Sequence, residues 1–361
     1  MREIRVRLFI VTVILLAVGM IMIYSASSIF AYESRGDSAY YLKRHVLFML
    51  VGFIFAISFM SVDYANLRKY IKPFLIFSIL LLIAVFIPGL GRQIGGARRW
   101  ISLGPVNFQP SEITKMALVF YAADVLSRKQ SEIGDFLYGF LPLLLPLGLC
   151  LALILVEPDL GTAVALAALI VTMAFVAGVK IKHLLWMILP GMLAFLGLVA
   201  IKPYRIKRIT AFLNPWQDPL GTGFQIIQSF IALGSGGIFG VGLAQSKQKL
   251  FYLPEAHTDF IFSIIGEELG LIGTLGIITL FIVFIWAGFR IAYLARDLFG
   301  QFLAFGLVTM ITLQLIINIA VVTGSIPTKG LPLPFISYGG SSLVYNMASV
   351  GILLNIAKHR R

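Results

Sequence analysis

The sequence predicts an all-α polytopic membrane protein, and three observations carry that reading. Of 361 residues, 59% are hydrophobic and 12% charged, whereas a soluble domain carries about a quarter charged residues. Apolar runs of about 18 to 25 residues recur from one end of the chain to the other, and each is long enough for a helix to cross the hydrocarbon core. The connections between them are short, with one exception at 201–258, which is too polar to span and too long to be a simple connector.

The first run follows Met1-Arg2-Glu3-Ile4-Arg5-Val6-Arg7 and starts like a signal peptide. It lacks a clear small-residue cleavage site and more spans follow it, so it reads as a retained first helix. Ten transmembrane helices follow from the runs at about 8–27, 45–62, 72–89, 109–126, 138–156, 160–179, 183–200, 259–288, 298–323 and 339–356. With the N-terminus in the cytoplasm, fifteen Lys and Arg fall inside and seven in the short outer loops, as the positive-inside bias requires. Both termini are then cytoplasmic, and 201–258 becomes a long extracytoplasmic loop between helices seven and eight. Within it Phe224, Ile227, Phe230 and Ile231 recur at helical spacing, which predicts an amphipathic helix on or dipping into the membrane. Gly234-Ser235-Gly236-Gly237 reads as a flexible break after it. No internal repeat is visible, which weakens a transporter built from inverted halves. Cys150 is the single cysteine, so no internal disulfide forms. The net charge of +13 is spread among the spans, and points to membrane lipids and an anionic substrate rather than to nucleic acid.

The densest chemistry lies in Tyr252-Leu253-Pro254-Glu255-Ala256-His257-Thr258-Asp259, just before the eighth span. A carboxylate at the mouth of a membrane helix is costly to keep there. Asp259 reads as a general base held ionised by a helix N-terminus, or as an N-cap shared with Thr258; the two are compatible. Glu112 and Lys115 stand three apart on one helix face, either a structural pair or a lysine facing a phosphate-holding cavity. Arg98, Arg99 and Trp100 follow Gly95-Gly96-Ala97 and suit either bidentate phosphate recognition or interfacial anchoring. Arg205, Lys207 and Arg208 repeat that theme. Glu157-Pro158-Asp159-Leu160-Gly161-Thr162 is a tight turn whose two acids leave room for a divalent cation, Mg²⁺ or Mn²⁺, against the plainer reading of a capped turn. Glu267 and Glu268 must face the bundle interior or water. The proline-rich run Thr328 to Ser342 cannot be a continuous helix and reads as one wall of the site. Zinc-type clusters, a P-loop and a Rossmann fingerprint are all missing, so no cofactor is evident and ATP-driven chemistry is not expected.

Several of these segments together resemble the SEDS family (shape, elongation, division and sporulation). They are Tyr24-Ser25-Ala26-Ser27, Gly96-Ala97-Arg98-Arg99-Trp100-Ile101, Gln109-Pro110-Ser111-Glu112, Pro158-Asp159-Leu160-Gly161-Thr162, the Pro254–Asp259 motif with Phe260-Ile261-Phe262, and the Pro334–Ser342 run. The resemblance covers nearly the whole chain and implies a single SEDS-type membrane domain, 1–361. Asn214-Pro215-Trp216, Leu253 to Asp259 and Thr328-Lys329-Gly330-Leu331 resemble the division branch more than the elongation branch. Many division members carry longer cytoplasmic tails than this chain shows.

The resemblance implies a peptidoglycan glycosyltransferase of the bacterial cytoplasmic membrane. Its substrates would be lipid II and the growing glycan strand, with Asp259 as the catalytic acid–base residue. Arg98, Arg99, Glu112, Lys115, Asp159, Arg205, His257, Ser337 and Ser341 form the expected substrate-binding set. The implied partner is a class B penicillin-binding transpeptidase, beside other division or elongation membrane proteins. The competing readings are a lipid II flippase, the same polymerase acting in cell elongation, and a noncatalytic scaffold.

Overall fold

The computed structural model describes residues 1–94, 97–104, 106–201, 203–250 and 252–359. Gly95 and Gly96 of the arginine motif, and Arg360 and Arg361 of the cytoplasmic count, lie outside the described residues.

Helix α1 (Arg2–Arg35) has 34 residues, about 50 Å at 1.5 Å per residue, so it outreaches the ~30 Å hydrocarbon core. Then come α2 (Tyr40–Ser61), the short α3 (Tyr64–Leu67), α4 (Ile71–Ala84), α5 (Pro110–Arg128), α6 (Leu141–Val156), α7 (Leu160–Val176), α8 (Ile181–Ile201), α9 (Pro203–Leu213), α10 (Phe224–Ser235), α11 (Ile261–Tyr293), α12 (Leu298–Val322) and α13 (Gly340–Ile356). Among the described residues, six helical stretches are long and apolar enough to cross a membrane: α1, α2, Phe136–Val156, Ile181–Ala200, α11 and α12. Shorter apolar helices, α7, α10 and α13, accompany them.

The departure from an all-helical architecture is an antiparallel sheet between α4 and α5, in the order β1 (Gly91–Ile94), β2 (Ala97–Leu103), β3 (Val106–Phe108). Its register pairs Gly91 with Ile101 and Ile101 with Phe108. The period-two pattern of β2 turns Ala97 and Ile101 inward and Arg98 outward.

Helix α12 is the centre of the bundle, packed by α5, α7, α11 and α13, as an all-round apolar helix should be. Its buried polar side chains, Thr309, Gln314 and Asn318, face other protein rather than lipid. One end of the bundle is stapled by Asp124 of α5. Its carboxylate accepts from Arg68 Nε at 2.6 Å and Arg128 Nε at 2.8 Å. Asn355 near the end of α13 donates to Met60 O and Val62 O there. The N-termini of α5, α7, α11 and α13 therefore gather at the opposite end.

Helix α11 breaks at Gly270, whose φ of 66° and ψ of −163° suit only glycine. The carbonyls of Glu267 and Glu268 accept from Val241 N and Gly242 N, while Leu271 N and Ile272 N donate to Gly237 O and Ile238 O. A backbone break at membrane depth is thus fully satisfied by the long loop, as an apolar setting demands. The glycine-rich segment after α10 is a close-fitting seam against α11, not the flexible break the sequence suggests. Helix α10 falls where the spacing predicts a helix, and its Ser229 bonds Ser263 Oγ at 2.8 Å and Val322 O at 2.7 Å, tying it to α11 and α12.

Candidate active site

Two irregular segments meet at the end where the helix N-termini gather. The first, Leu253 to Phe260, carries Asp259. The second, Thr323 to Gly339, carries Lys329. Two direct bonds and one bridge join them: Tyr338 N donates to His257 O at 3.0 Å, Ser337 Oγ to Thr258 O at 2.5 Å, and Asn318 Nδ2 of α12 to both Asp259 O at 2.9 Å and Leu331 O at 2.7 Å. Asn318 and Gln314 escaped the sequence reading. Two carboxamides four apart on an apolar span were the signal available.

Asp259 is not a helix cap. Helix α11 starts two residues later, with Phe260 in the capping position. Thr258 Oγ1 turns back to Glu255 Oε2 at 2.8 Å instead, and Phe260 N to Glu255 O. Among the described residues the Asp259 carboxyl accepts no hydrogen bond. It lies against Gly330, where any Cβ would collide with Oδ2. Burial raises the carboxyl to about 7, with Glu255 adding to the rise and Lys329 opposing it. The expectation that a helix N-terminus holds Asp259 ionised is therefore corrected: Asp259 stands ahead of α11 and caps none of its amides, and desolvation is the largest influence on its carboxyl.

Lys329 is the residue that sequence reasoning quoted in a motif but did not place in the site. Its stem runs over Gly161, where a Cβ would overlap the methylenes. Its Nζ is buried with no hydrogen-bond partner. Burial lowers the amine to about 7, and Asp159, Lys115, Glu112 and Arg99 all act on it electrostatically. Lys329 therefore joins the Asp259 loop to the first turns of α5 and α7.

The expected substrate-binding residues divide in two. Glu112 and Lys115 form a buried ion pair at 2.8 Å. Lys115, Thr162, Gln314 and Leu331 line a cavity of about 20 Å³, room for roughly one water. Asp159 caps α7, accepting from Thr162 N and Oγ1 at 3.1 and 2.8 Å, with Arg99 4.0 Å away. Arg99 donates to Glu157 O and Pro158 O, holding the end of α6. Ser341 accepts from Gln109 N at 3.2 Å, tying α13 to α5.

The others sit outside this cluster or are already engaged. Arg98 is exposed on β2. Arg205 donates to Leu198 O within the α8–α9 pair. Ser337 has its hydroxyl engaged on both sides, by Thr258 O and Leu333 N. His257 is packed among Tyr41, Tyr338 and Phe30 at ring distances of 4.4, 5.8 and 5.9 Å, and burial lowers its pKa. It reads as an aromatic-box residue that shapes the Asp259 loop.

Among the described residues no three His, Cys, Asp or Glu side chains converge on a metal position. Of the Glu157–Asp159 pair, the Asp159 carboxylate is engaged by Thr162 N and Oγ1, and burial raises the Glu157 pKa to about 8, an arrangement that favours the capped turn over a cation site.

A multi-pass membrane protein with an under-satisfied carboxyl–amine pocket walled by helix N-termini is the class that fold and site define. The chain belongs to the SEDS family: the cell cycle protein family model spanning FtsW, RodA and SpoVE matches residues 6–361. It is 49% identical to stage V sporulation protein E of Bacillus subtilis (98% of this chain, 97% of that protein). It is 48% identical to the probable peptidoglycan glycosyltransferase FtsW of Geobacter sp. strain M18 (97% and 95%). Among solved structures, a chain of a peptidoglycan synthase complex described for polymerization and crosslinking matches with a TM-score of 0.79 at 29% identity (97% and 96%). The rod shape determining protein RodA of Thermus thermophilus matches with 0.72 at 26% (98% and 96%).

Proposed function

We propose that this protein is a peptidoglycan glycosyltransferase that polymerises lipid II into β-1,4 glycan strands at the outer face of the cytoplasmic membrane, for septal wall synthesis in cell division. Relatives at 47–49% identity over nearly the whole chain are named probable peptidoglycan glycosyltransferase FtsW, which supports this reading. The similarly close sporulation relative makes spore formation the nearest alternative setting for the same chemistry. The elongation protein of known structure is more distant, at 26%.

The observation that carries the mechanism is the half-buried Asp259 carboxyl, which accepts no hydrogen bond among the described residues and feels the charge of Lys329, whose Nζ is buried without a partner there. A base tuned to about 7 suits proton abstraction at neutral pH. In its ionised form Asp259 takes the proton of the acceptor GlcNAc 4-hydroxyl. That oxygen attacks the donor MurNAc anomeric carbon, the bond to the pyrophosphate breaks, and undecaprenyl pyrophosphate leaves. Direct displacement inverts the anomer. Lys329, Lys115 and Arg99 are the cations for the departing pyrophosphate, and the N-termini of α5, α7, α11 and α13 add positive potential on the same side. The chain acts as one domain, 1–361, with ten crossings and cytoplasmic termini, and pairs with a class B penicillin-binding transpeptidase. The flippase alternative leaned on deep charges at Glu267, Glu268 and Lys115. Glu267 and Glu268 are engaged inside the fold by Ser246, Lys247 and Lys249, which weighs against that alternative.

The test is polymerisation of labelled lipid II by the purified protein, with and without its transpeptidase, wild type beside Asp259→Asn, with moenomycin present to silence contaminating polymerases. Polymer from wild type alone supports the assignment. Lipid II binding without polymer from either, partner included, overturns it in favour of transport or scaffolding.

A further inference from the structure

Beyond Asp259, a second buried polar cluster joins three distant parts of the chain. Lys249 Nζ lies 2.8 Å from Glu268 Oε1 and 3.1 Å from Ser25 Oγ. Ser25 Oγ in turn lies 2.7 Å from both Glu268 oxygens. Glu267 accepts from Ser246 Oγ, Lys247 N at 2.9 Å and Gln248 N at 3.3 Å. Lys249 N donates to Ser246 Oγ, and Leu253 N to Gln248 O. Ser25, Ser246, Lys249, Glu267 and Glu268 are all buried.

The placement matters more than the bonds themselves. Residues 246–249 are fastened to residues 267–268, and the chain between them is the loop that carries Asp259. The clasp closes the neck of that loop, and Ser25 anchors the neck to α1. Asp259 itself has no donor to orient its carboxyl, so its position is inherited from the backbone on either side. An amphipathic lysine head buried against a carboxylate is an expensive way to join two segments unless the join must be rigid.

We propose that the Ser25–Lys249–Glu268 clasp, with Glu267 beside it, is the positioning device for the catalytic loop, holding Asp259 at attacking distance from the acceptor hydroxyl without touching substrate. This rests on the glycosyltransferase reading. Misplacement of a reacting group by about 1 Å costs on the order of 10²-fold in rate, and the loss falls on kcat because lipid II is gripped by other residues.

The experiment compares wild type, Asp259→Asn, Lys249→Met/Glu268→Leu, Ser25→Ala and Lys249→Arg in detergent. It measures thermal unfolding, lipid II affinity, and polymerisation rate across pH 5.5–9. The double variant removes both charges together, so neither is left buried alone, and Ser25→Ala supplies a milder lesion should the double variant not fold. The expected result is a folded clasp variant with wild-type lipid II affinity and kcat lowered on the order of 10²-fold. The acid limb of its pH profile moves to lower pH as water reaches Asp259, and Lys249→Arg restores most of the rate. Wild-type kcat in a folded clasp variant overturns the inference. So does a loss that follows unfolding alone with the acid limb unmoved. Absence of polymer from wild type itself would instead strike the functional reading.

Discussion

Two buried ionisable clusters lie eight residues apart on one stretch of chain, at Asp259 and at Glu267-Glu268, and they are built on opposite rules. Around Glu267 and Glu268 each carboxylate has its donors: a lysine, two hydroxyls and backbone amides. Around Asp259 the accounts are left open. Among the described residues the Asp259 carboxyl accepts no hydrogen bond, and Lys329 Nζ, the Glu157 carboxyl and Asn318 Oδ1 are buried without partners. Buried polar groups in folded proteins are nearly always paired. A cluster of exceptions, with a carboxyl and an amine whose pKa values are shifted toward each other, is the pattern expected of a ligand-binding site. Between these two clusters the difference is satisfaction, not burial.

The comparison can be broken most sharply at Asp259. Asp259→Asn keeps the shape and removes the base, and general-base loss typically costs about 10²–10⁴-fold. Polymerisation should fall by that much while the melting temperature holds. Near-wild-type turnover would place the base elsewhere.

Lys329 comes next. Lys329→Met should lower the rate by about 10²–10³-fold, the usual effect of removing one group that stabilises developing charge. The pH profile tests the same pair. Asp259 must be ionised, so the rate falls as pH drops below about 7. Lys329 must be protonated, so the rate falls as pH climbs above about 7. The result is a narrow bell whose limbs belong to the coupled pair. Lys329→Arg, whose guanidinium stays charged, should erase the alkaline limb. A bell unchanged in that variant separates Lys329 from the chemistry.

At the satisfied cluster the effect should be on stability. Glu268→Gln leaves Lys249 buried without its counter-charge, and breaking such a pair costs about 3–5 kcal/mol. A large fall in melting temperature is expected. An unchanged melting temperature would mean that water already reaches the lysine.

The smallest effect is expected at Arg98. It is exposed on β2, while its neighbour Arg99 holds Glu157 O and Pro158 O. Arg98→Ala should change the rate less than Arg99→Ala, measured side by side. The reverse order would make Arg98 the lipid-phosphate contact.

The sequence was legible where a local rule was enough. Apolar run length announces membrane helices because a bilayer leaves backbone groups no other partner. The Glu112–Lys115 pair follows from a three-residue helical offset. The capped tight turn at Glu157 to Thr162 was readable from its Pro and Gly, and Asp159 accepts from Thr162 N there. Short-range rules failed at Gly236 and Gly237, which look like a hinge in sequence but seal the break at Gly270. Nor could they show that His257 packs among Phe30, Tyr41 and Tyr338, or that the Ser337 hydroxyl bonds Thr258 O and Leu333 N.

The chain by itself determined the membrane character, the positions of its helices and the family to which it belongs, because each depends on residues close together in sequence. Only the tertiary structure decided that Lys329 stands between Asp259 and the first turns of α5 and α7. It alone decided that Lys249 reaches Ser25 and Glu268 across the fold. The physical reason is desolvation. Whether an ionisable group becomes a structural tie or a poised acid–base residue depends on which partners reach it once water has gone, and those partners come from elements far apart in the sequence.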